Sequence, residues 1–194
     1  MSEDTKIMDL GRSLTNQLLI AMPGMKDPNF NSTVTLICEH NDDGALGIII
    51  NRPLNLKLSS LLDQLSVKDV DPIVANNPIV SGGPIGAERG FVLHNKTQSF
   101  KNTISVSDDI QLTLSRDVIE AMATGVGPQK SLIAIGYAGW DSGQLEEEIL
   151  TNFWLNVTAT PELVFNTPFV DRWNSAAHLL GVDLASVSLE AGHA

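Results

Sequence analysis

Cysteine and basic residues are scarce in this chain of 194 residues, and each shortage excludes a class of protein. A single cysteine, Cys38, excludes an internal disulfide framework and a zinc site built from several thiolates. Twelve Lys and Arg stand against 23 Asp and Glu, which gives a net charge of -11. Such a balance argues against a DNA- or RNA-binding surface, because that surface must offset phosphate charge.

Long hydrophobic runs are also missing. No stretch approaches the roughly 18 apolar residues that a membrane span needs, and residues 1–11 lack the basic flank and apolar run of a secretory signal. We therefore predict a cytoplasmic protein without a membrane partner. With 43% hydrophobic and 18% charged residues the chain can build a core. Its length predicts one domain, residues 14–194, after a flexible polar lead-in at 1–13.

A β-hairpin is the clearest structural signal in the sequence. Residues 33–40 alternate in hydrophobicity, the cluster Asn41-Asp42-Asp43-Gly44 is typical of a turn, and residues 45–50 form an apolar run of strand length. If residues 41–44 are the loop, His40 pairs with Ala45 and Asn51 lies opposite Val34. A carboxylate and an imidazole could form a reactive acid–base pair, but the adjacent residues Glu39 and His40 would point to opposite faces, which favours a role in shaping the turn.

The rest of the chain mixes short strands with inserted helices. The helix signals are a leucine pattern at 58–65, apolar residues at 118–122, a capping box from Asp141 to Gln144, and Thr167-Pro168 opening a last helix that ends at Gly181. Further strands are predicted at 17–22, 79–81, 90–94, 103–106, 110–114, 131–137 and 153–157. Because strands come in runs rather than in strict alternation with helices, the pattern predicts an α+β fold with a mixed, largely antiparallel sheet.

Arginines beside turns give the candidate ligand site. The turn at 27–29 must lie near the end of the hairpin, and two glycines precede a second arginine further along the chain. The residues concerned are Asp27, Asn29, Asn51, Arg52, Gly82, Gly83 and Arg89. A guanidinium group binds phosphate or carboxylate through two hydrogen bonds, so these residues predict a site for a small anion. The alternative is that each arginine holds a loop by hydrogen bonds to carbonyl groups or to a carboxylate such as Asp27.

Standard catalytic and metal-binding motifs are not found. The histidines His40, His94, His178 and His193 are dispersed, and neither a metal site nor a cofactor is predicted. Cys38 would be a redox sensor only as an exposed thiolate, whereas its apolar neighbours favour a buried and inert thiol. The three tryptophans, Trp140, Trp154 and Trp173, are interpreted as core or interface aromatics.

Several segments resemble one bacterial family in the same order along the chain. They are IAMPGMKDPNFNSTVTLICEHNDDGALGIIINRP, GGPIGAERGFVLH, SLIAIGYAGWDSGQLEEEILTNFWL and the ending AGHA. The sequence from about residue 17 to 194 is similar to the YqgE/AlgH family. That resemblance implies a small cytoplasmic α+β protein with a curved, barrel-like mixed sheet. It supplies no catalytic residue, and some members carry the label of transcriptional regulator of exopolysaccharide synthesis.

Three functions follow as hypotheses. Our prediction is a binding or regulatory protein that recognises a small anionic ligand or a protein partner without contacting DNA. One alternative is a hydrolase-type enzyme on a phosphorylated or acyl metabolite, with Arg52 and Arg89 holding the anion. The other is a transcriptional regulator that binds DNA directly, against which the net charge of -11 counts.

Overall fold

The sheet formed by the described residues contains ten strands. A computed structural model describes residues 13–190, so the predicted lead-in at 1–13, apart from residue 13, and the AGHA ending lie outside the described residues. The strands are β1 (Gln17–Ala21), β2 (Val34–Asn41), β3 (Gly44–Ile49), β4 (Pro53–Lys57), β5 (Pro78–Ser81), β6 (Ile85–Asn95), β7 (Thr103–Ser105), β8 (Ile110–Thr113), β9 (Ser131–Asp141) and β10 (Trp154–Thr158).

Short helices are inserted between these strands or follow them. They are α1 (Leu58–Gln64), α2 (Pro72–Ala75), α3 (Arg116–Ala123), α4 (Gln144–Leu150), a π-helical turn (Glu162–Asn166), α5 (Arg172–Leu179) and α6 (Leu184–Glu190). None of the helices within residues 13–190 has the length and apolar character to cross a membrane.

The strand order is β10-β1-β2-β3-β9-β6-β8-β7, and β5 joins β4 to β9. Every paired strand is antiparallel to its neighbour except β5, which runs parallel to β9. The long strand β9 pairs with β5 and β6 through its first half and with β3 through its second, and the sheet curls into a half-barrel. The predicted α+β class with a mixed, largely antiparallel, curved sheet is confirmed.

The predicted hairpin is β2 and β3. His40 pairs with Ala45 as expected, but the predicted position of Asn51 opposite Val34 is wrong by one residue: Thr35 pairs with Ile49, and the backbone N–H of Ile50 donates to the Val34 carbonyl oxygen at 2.9 Å. Asn51 contacts Val34 through its side-chain oxygen, which accepts from the Val34 backbone N–H at 2.9 Å. The pairing register shifts between Ile37 and Glu39, which is the signature of a β-bulge. Residues 34–38 are buried on both faces rather than on one, because helices or loops cover both sides of this part of the sheet.

Alternate residues of β1 and β2 divide between two hydrophobic clusters, as the two-residue period of a strand requires. Leu18 and Leu36 face a cluster that includes Ala176 and Ala177 of α5. The intervening residues Leu19, Ala21 and Ile37 face a second cluster, which contains two tryptophans and the apolar side of α4. A third cluster lies under α1 and α3. Strands buried on both faces therefore place α4 and α5 on opposite sides of β1 and β2.

Several predicted boundaries are wrong. Strand β6 starts at Ile85 instead of residue 90, because Ile85 finds a partner in Tyr137 of β9. Strand β9 continues to Asp141 instead of stopping at residue 137, because Ala138 to Asp141 find partners on β3. The last predicted helix starts at Arg172 rather than after Thr167-Pro168. The Arg172 side chain donates a hydrogen bond to the Thr167 carbonyl oxygen and stacks on the Phe169 ring, so the residues before Arg172 form a turn.

Candidate ligand site

A cavity of about 600 Å³ opens where the end of β9, the start of β10, helix α4 and the loop after β1 meet. We call it the aromatic cavity. Its lining residues are Gly24, Met25, Lys26, Asp27, Phe30, Gly139, Trp140, Gln144, Glu148, Phe153 and Trp154. The lining thus combines aromatic rings with a small number of polar and charged groups, which is the usual composition of a small-molecule site.

Three aromatic rings form one side of the cavity. Trp154 stands nearly perpendicular to both Phe30 and Trp140, at interplanar angles of 82° and 77° and centroid distances of 5.5 and 6.2 Å. Such edge-to-face pairs are a favourable arrangement of aromatic rings. Both tryptophans are buried, as the interpretation as core aromatics predicted, whereas Phe153 is half exposed. The cavity is therefore lined by two buried tryptophan rings that pack on each other and by a Phe153 ring that is open to solvent.

Glu148 connects helix α4 to the two tryptophans. One carboxylate oxygen accepts hydrogen bonds from both indole N–H groups, at 2.9 Å from Trp140 and 2.8 Å from Trp154. The other oxygen accepts from the Gln144 side-chain amide at 2.9 Å. Each buried indole N–H thus has an acceptor, which avoids the free-energy cost of an unsatisfied donor. The half-buried carboxylate is in turn held in a fixed orientation at the cavity wall.

The turn between β9 and α4 sets the position of Glu148. The predicted helix cap at Asp141 is wrong: Asp141 is the last residue of β9, and α4 starts after Gly143, whose φ of 75° lies in the left-handed region that favours glycine. The other half of the predicted capping box is present, since the Gln144 side-chain oxygen accepts from the Asp141 backbone N–H at 3.0 Å. One helical turn later, Glu148 faces the tryptophans.

Arg52 holds the loop that carries Phe30 and Asp27. Its guanidinium donates to the Asn29 carbonyl oxygen at 2.6 Å, and to the carbonyl and side-chain oxygens of Asn31 at 2.9 and 2.7 Å. Burial lowers the pKa of Arg52, and the charge of Asp27 opposes that effect. Hydrogen bonds to carbonyl oxygens are the contacts expected from the alternative that Arg52 holds a loop in place. Arg52 does not line the aromatic cavity, and anion binding by Arg52 stays a prediction.

Four of the predicted site residues are brought together by the structure. Asp27 lines the cavity, and Asn29 and Arg52 are joined by a hydrogen bond. Asn51 fixes the far end of the same loop, because its amide N–H donates to the Ser32 carbonyl oxygen at 2.9 Å. Most of these side chains support the loop that borders the cavity rather than face the cavity, and their role in ligand binding stays a prediction.

Gly82 and Gly83 are required by close backbone packing. A Cβ atom at Gly82 would lie 2.3 Å from the Gly136 carbonyl oxygen, and one at Gly83 would lie 2.1 Å from the Tyr137 carbonyl carbon. Their absent side chains let the chain after β5 pass directly over β9. Arg89 stands apart in an exposed part of β6, where its nearest carboxylate is the neighbouring Glu88 at 3.8 Å.

Cys38 and His40 lie on the hairpin but outside the cavity. Cys38 is fully buried, and burial raises the pKa of its thiol far above the usual range. His40 contacts Glu146 rather than forming a pair with Glu39, whose side chain contacts Asn41. Glu148 and Trp154 were not singled out as site residues from the sequence. The acidic run Glu146-Glu147-Glu148 before an aromatic pair was the one signal present, and a solvated helix face gives the same pattern.

Comparison with known proteins agrees with the architecture. The model of the AlgH-like family, DUF179, matches residues 18–185. A UPF0301 protein of Ralstonia nicotianae is 50% identical over 183 residues, covering 94% of this chain and 96% of that protein. A UPF0301 protein of Vibrio parahaemolyticus is 43% identical and covers 94% of this chain and 100% of that protein.

Two solved structures have the same fold. The solution structure of the AlgH protein from Pseudomonas aeruginosa superposes with a TM-score of 0.77 at 45% identity, covering 94% of this chain and 96% of that one. Protein DIP2367 from Corynebacterium diphtheriae superposes with a TM-score of 0.71 at 20% identity, covering 89% and 90%, and shows the fold alone. With a family model matching most of its length and relatives near 50% identity, the chain belongs to the AlgH-like family.

Proposed function

We propose that the protein is a cytoplasmic binding protein that takes a small organic ligand in the aromatic cavity and acts without direct DNA contact. The observation that carries the proposal is the cavity itself. Its volume of about 600 Å³ falls within the range of small-molecule sites, roughly 300–1,000 Å³. Its polar groups are few, and one of them, Glu148, is held in place by three hydrogen bonds, which is an arrangement that fixes the orientation of a ligand.

Binding without catalysis fits the groups that line the cavity. A nucleophilic mechanism needs a serine, cysteine, threonine, lysine, histidine, tyrosine or carboxylate that its surroundings activate. Lys26 lines the cavity on an exposed loop, and no lining residue is a serine, cysteine, threonine or histidine. Glu148 already accepts three hydrogen bonds, so it is placed to hold a ligand or the tryptophans. The single, buried Cys38 is compatible with a reducing compartment such as the cytoplasm.

A thermal-shift screen of metabolites tests the proposal. A ligand at 100 times its dissociation constant stabilises the fold by about 2.7 kcal/mol, which raises Tm by roughly 5–11 °C for a chain of this size. We expect a hit whose shift is reduced in a Phe153→Ala variant, because that ring lines the cavity and is half exposed. Val170→Ala is the matched control, since Val170 is exposed and does not line the cavity.

The outcome against the proposal is equally specific. Hits that bind Phe153→Ala as tightly as the unmodified protein, or a metabolite screen without any hit, would remove the support for a ligand in this cavity. Direct DNA contact is tested separately by gel shift at about 50 mM salt, where phosphate attraction is strong. We expect no retarded band, because the chain carries a net charge of -11.

A further inference from the structure

We infer that the aromatic cavity recognises an organic cation, with an ammonium group near Glu148 and an apolar body against the rings. This inference rests on the proposed function, since it names the class of ligand for the same cavity. It adds the sign of the ligand's charge, which the volume and shape of the cavity do not determine.

Glu148 is a carboxylate whose charge is not neutralised. Its three hydrogen-bond donors are the indole N–H groups of Trp140 and Trp154 and the amide of Gln144, all of which are uncharged. Within residues 13–187, the contacts of 4.0 Å or less between a basic and an acidic side chain are His40–Glu146, Arg89–Glu88 and Arg116–Glu120, so none involves Glu148. Uncharged donors fix the position of the carboxylate and leave its charge available to a ligand.

The aromatic wall supplies the second element of a cation site. A cation within about 6 Å of an aromatic ring centroid is attracted by the ring quadrupole, and tryptophan provides the strongest attraction. Trp140, Trp154, Phe30 and Phe153 all line the cavity. A quaternary or protonated amine is the ligand type for which carboxylate and aromatic faces act together, because its charge and its alkyl groups are both accommodated.

The charges around the cavity favour the same sign of ligand. Asp27 and Glu148 outnumber Lys26, the one basic residue of the lining. Lys26 is an exposed residue of the loop after β1. No arginine lines the cavity, so an anion bound there would lie near Asp27 and Glu148 with Lys26 as its one basic neighbour. The net charge of -11 also attracts cations toward the protein at long range.

Two series of probes with matched shape test the inference on the unmodified protein. The first pair is choline and 3,3-dimethylbutan-1-ol, in which a carbon replaces the charged nitrogen. The second series is tryptamine, tryptophol and indole-3-acetate, which carry positive, zero and negative charge on one aromatic body. Titrations followed by NMR on the tryptophan indole N–H signals give the affinities. We expect at least one cation to bind about tenfold more tightly than its neutral counterpart, a difference between that of an exposed and that of a desolvated cation–π contact.

Two charge variants then test whether Glu148 causes the preference for cations. Glu148→Gln keeps an oxygen that accepts from the indoles and removes the charge, so it should weaken the bound cation about tenfold and leave the neutral probe unchanged. Glu147→Gln removes the same charge from an exposed residue of the same helix that does not line the cavity, and should change neither affinity. Because the probe series uses the unmodified protein, the inference is tested even if Glu148→Gln folds poorly.

The results separate this inference from the proposed function. If neutral or anionic probes bind as tightly as the cations and lose affinity in Phe153→Ala, the cavity is a ligand site but its preference for cations is wrong. If no cation of either series binds at millimolar concentration, the inference is also overturned. If in addition the metabolite screen gives no hit that depends on Phe153, the proposed function fails with it.

Discussion

His40 and Glu146 are 106 residues apart in sequence and are joined by a 2.8 Å contact between the histidine Nε2 and a glutamate oxygen. The other ring nitrogen, Nδ1, accepts a hydrogen bond from the Leu14 backbone N–H at 2.9 Å. Nδ1 is thus the acceptor and Nε2–H the donor of a neutral ring, which defines the tautomer. One side chain therefore ties the hairpin to α4 and to the segment before β1.

Replacing His40 should destabilise the protein more than replacing Glu146. His40→Ala removes both hydrogen bonds and leaves the Leu14 N–H without its acceptor, for a loss of about 2–3 kcal/mol. Glu146→Gln keeps an oxygen that can accept from Nε2–H, so we expect a loss below about 1 kcal/mol. Urea denaturation measures both, with Glu147→Gln as the control on the same helix. Equal losses for the two variants would show that the Leu14 contact contributes nothing.

Much of the fold follows from local sequence. The hairpin of β2 and β3 and helix α1 were predicted because alternation, turn residues and leucine spacing act over a few residues. The same local signals predict an end of β9 at residue 137, four residues too early. Gly136, Gly139 and Trp140 interrupt a simple strand pattern, and only the pairing with β3 extends the strand to Asp141.

The aromatic cavity could not be predicted in the same way. Trp140 and Trp154 lie on strands that do not pair with each other, and their common partner Glu148 comes from the helix between them. That arrangement depends on how α4 packs on the sheet, and no local signal encodes the packing. Arg52 was identified from its chemistry, which suits an anion and a set of carbonyl oxygens equally well.

His94 should make the stability of the protein depend on pH. It is fully buried; its Nδ1 contacts the Asn95 carbonyl oxygen and its Nε2 contacts the Thr113 hydroxyl at 2.8 Å. Burial lowers the pKa of His94 below its usual value of 6.5, and the hydrogen bond to Asn95 opposes the shift. Below pH 6.5 the unfolded chain therefore binds a proton that the native chain does not, and the free energy of unfolding decreases as pH falls.

Denaturation between pH 5 and 8 measures this effect. We expect the contribution of His94 to be complete above about pH 6.5, with a loss of at most about 1.4 kcal/mol per pH unit below it. His94→Asn should flatten the profile in this window. The matched control is His178→Asn, which removes an exposed imidazole on α5 instead of a buried one. A wild-type slope in His94→Asn would refute the assignment.

Cys38 should be unreactive in the native protein. Its side chain is fully buried, and both burial and the neighbouring Glu39 raise the pKa of the thiol, so the reactive thiolate is disfavoured. We expect a disulfide reagent such as dithionitrobenzoate to label the native protein only as fast as it unfolds, and to label it at once in denaturant. Rapid labelling under native conditions, at a rate insensitive to stabilising sulfate, would instead favour the redox-sensor alternative.

Arg52 and Arg89 should respond differently to replacement, and the difference tests whether they form an anion site. Arg52→Ala removes three hydrogen bonds to the loop beside the aromatic cavity, with an expected loss of about 1–3 kcal/mol and faster hydrogen exchange at the Asn31 amide. Arg89→Ala removes an exposed side chain and should stay within about 0.5 kcal/mol. An anion site predicts that inorganic phosphate raises the Tm of the unmodified protein and of neither variant. If Arg52 only holds the loop, phosphate has the same effect on all three proteins, and Arg52→Ala alone weakens ligands of the aromatic cavity.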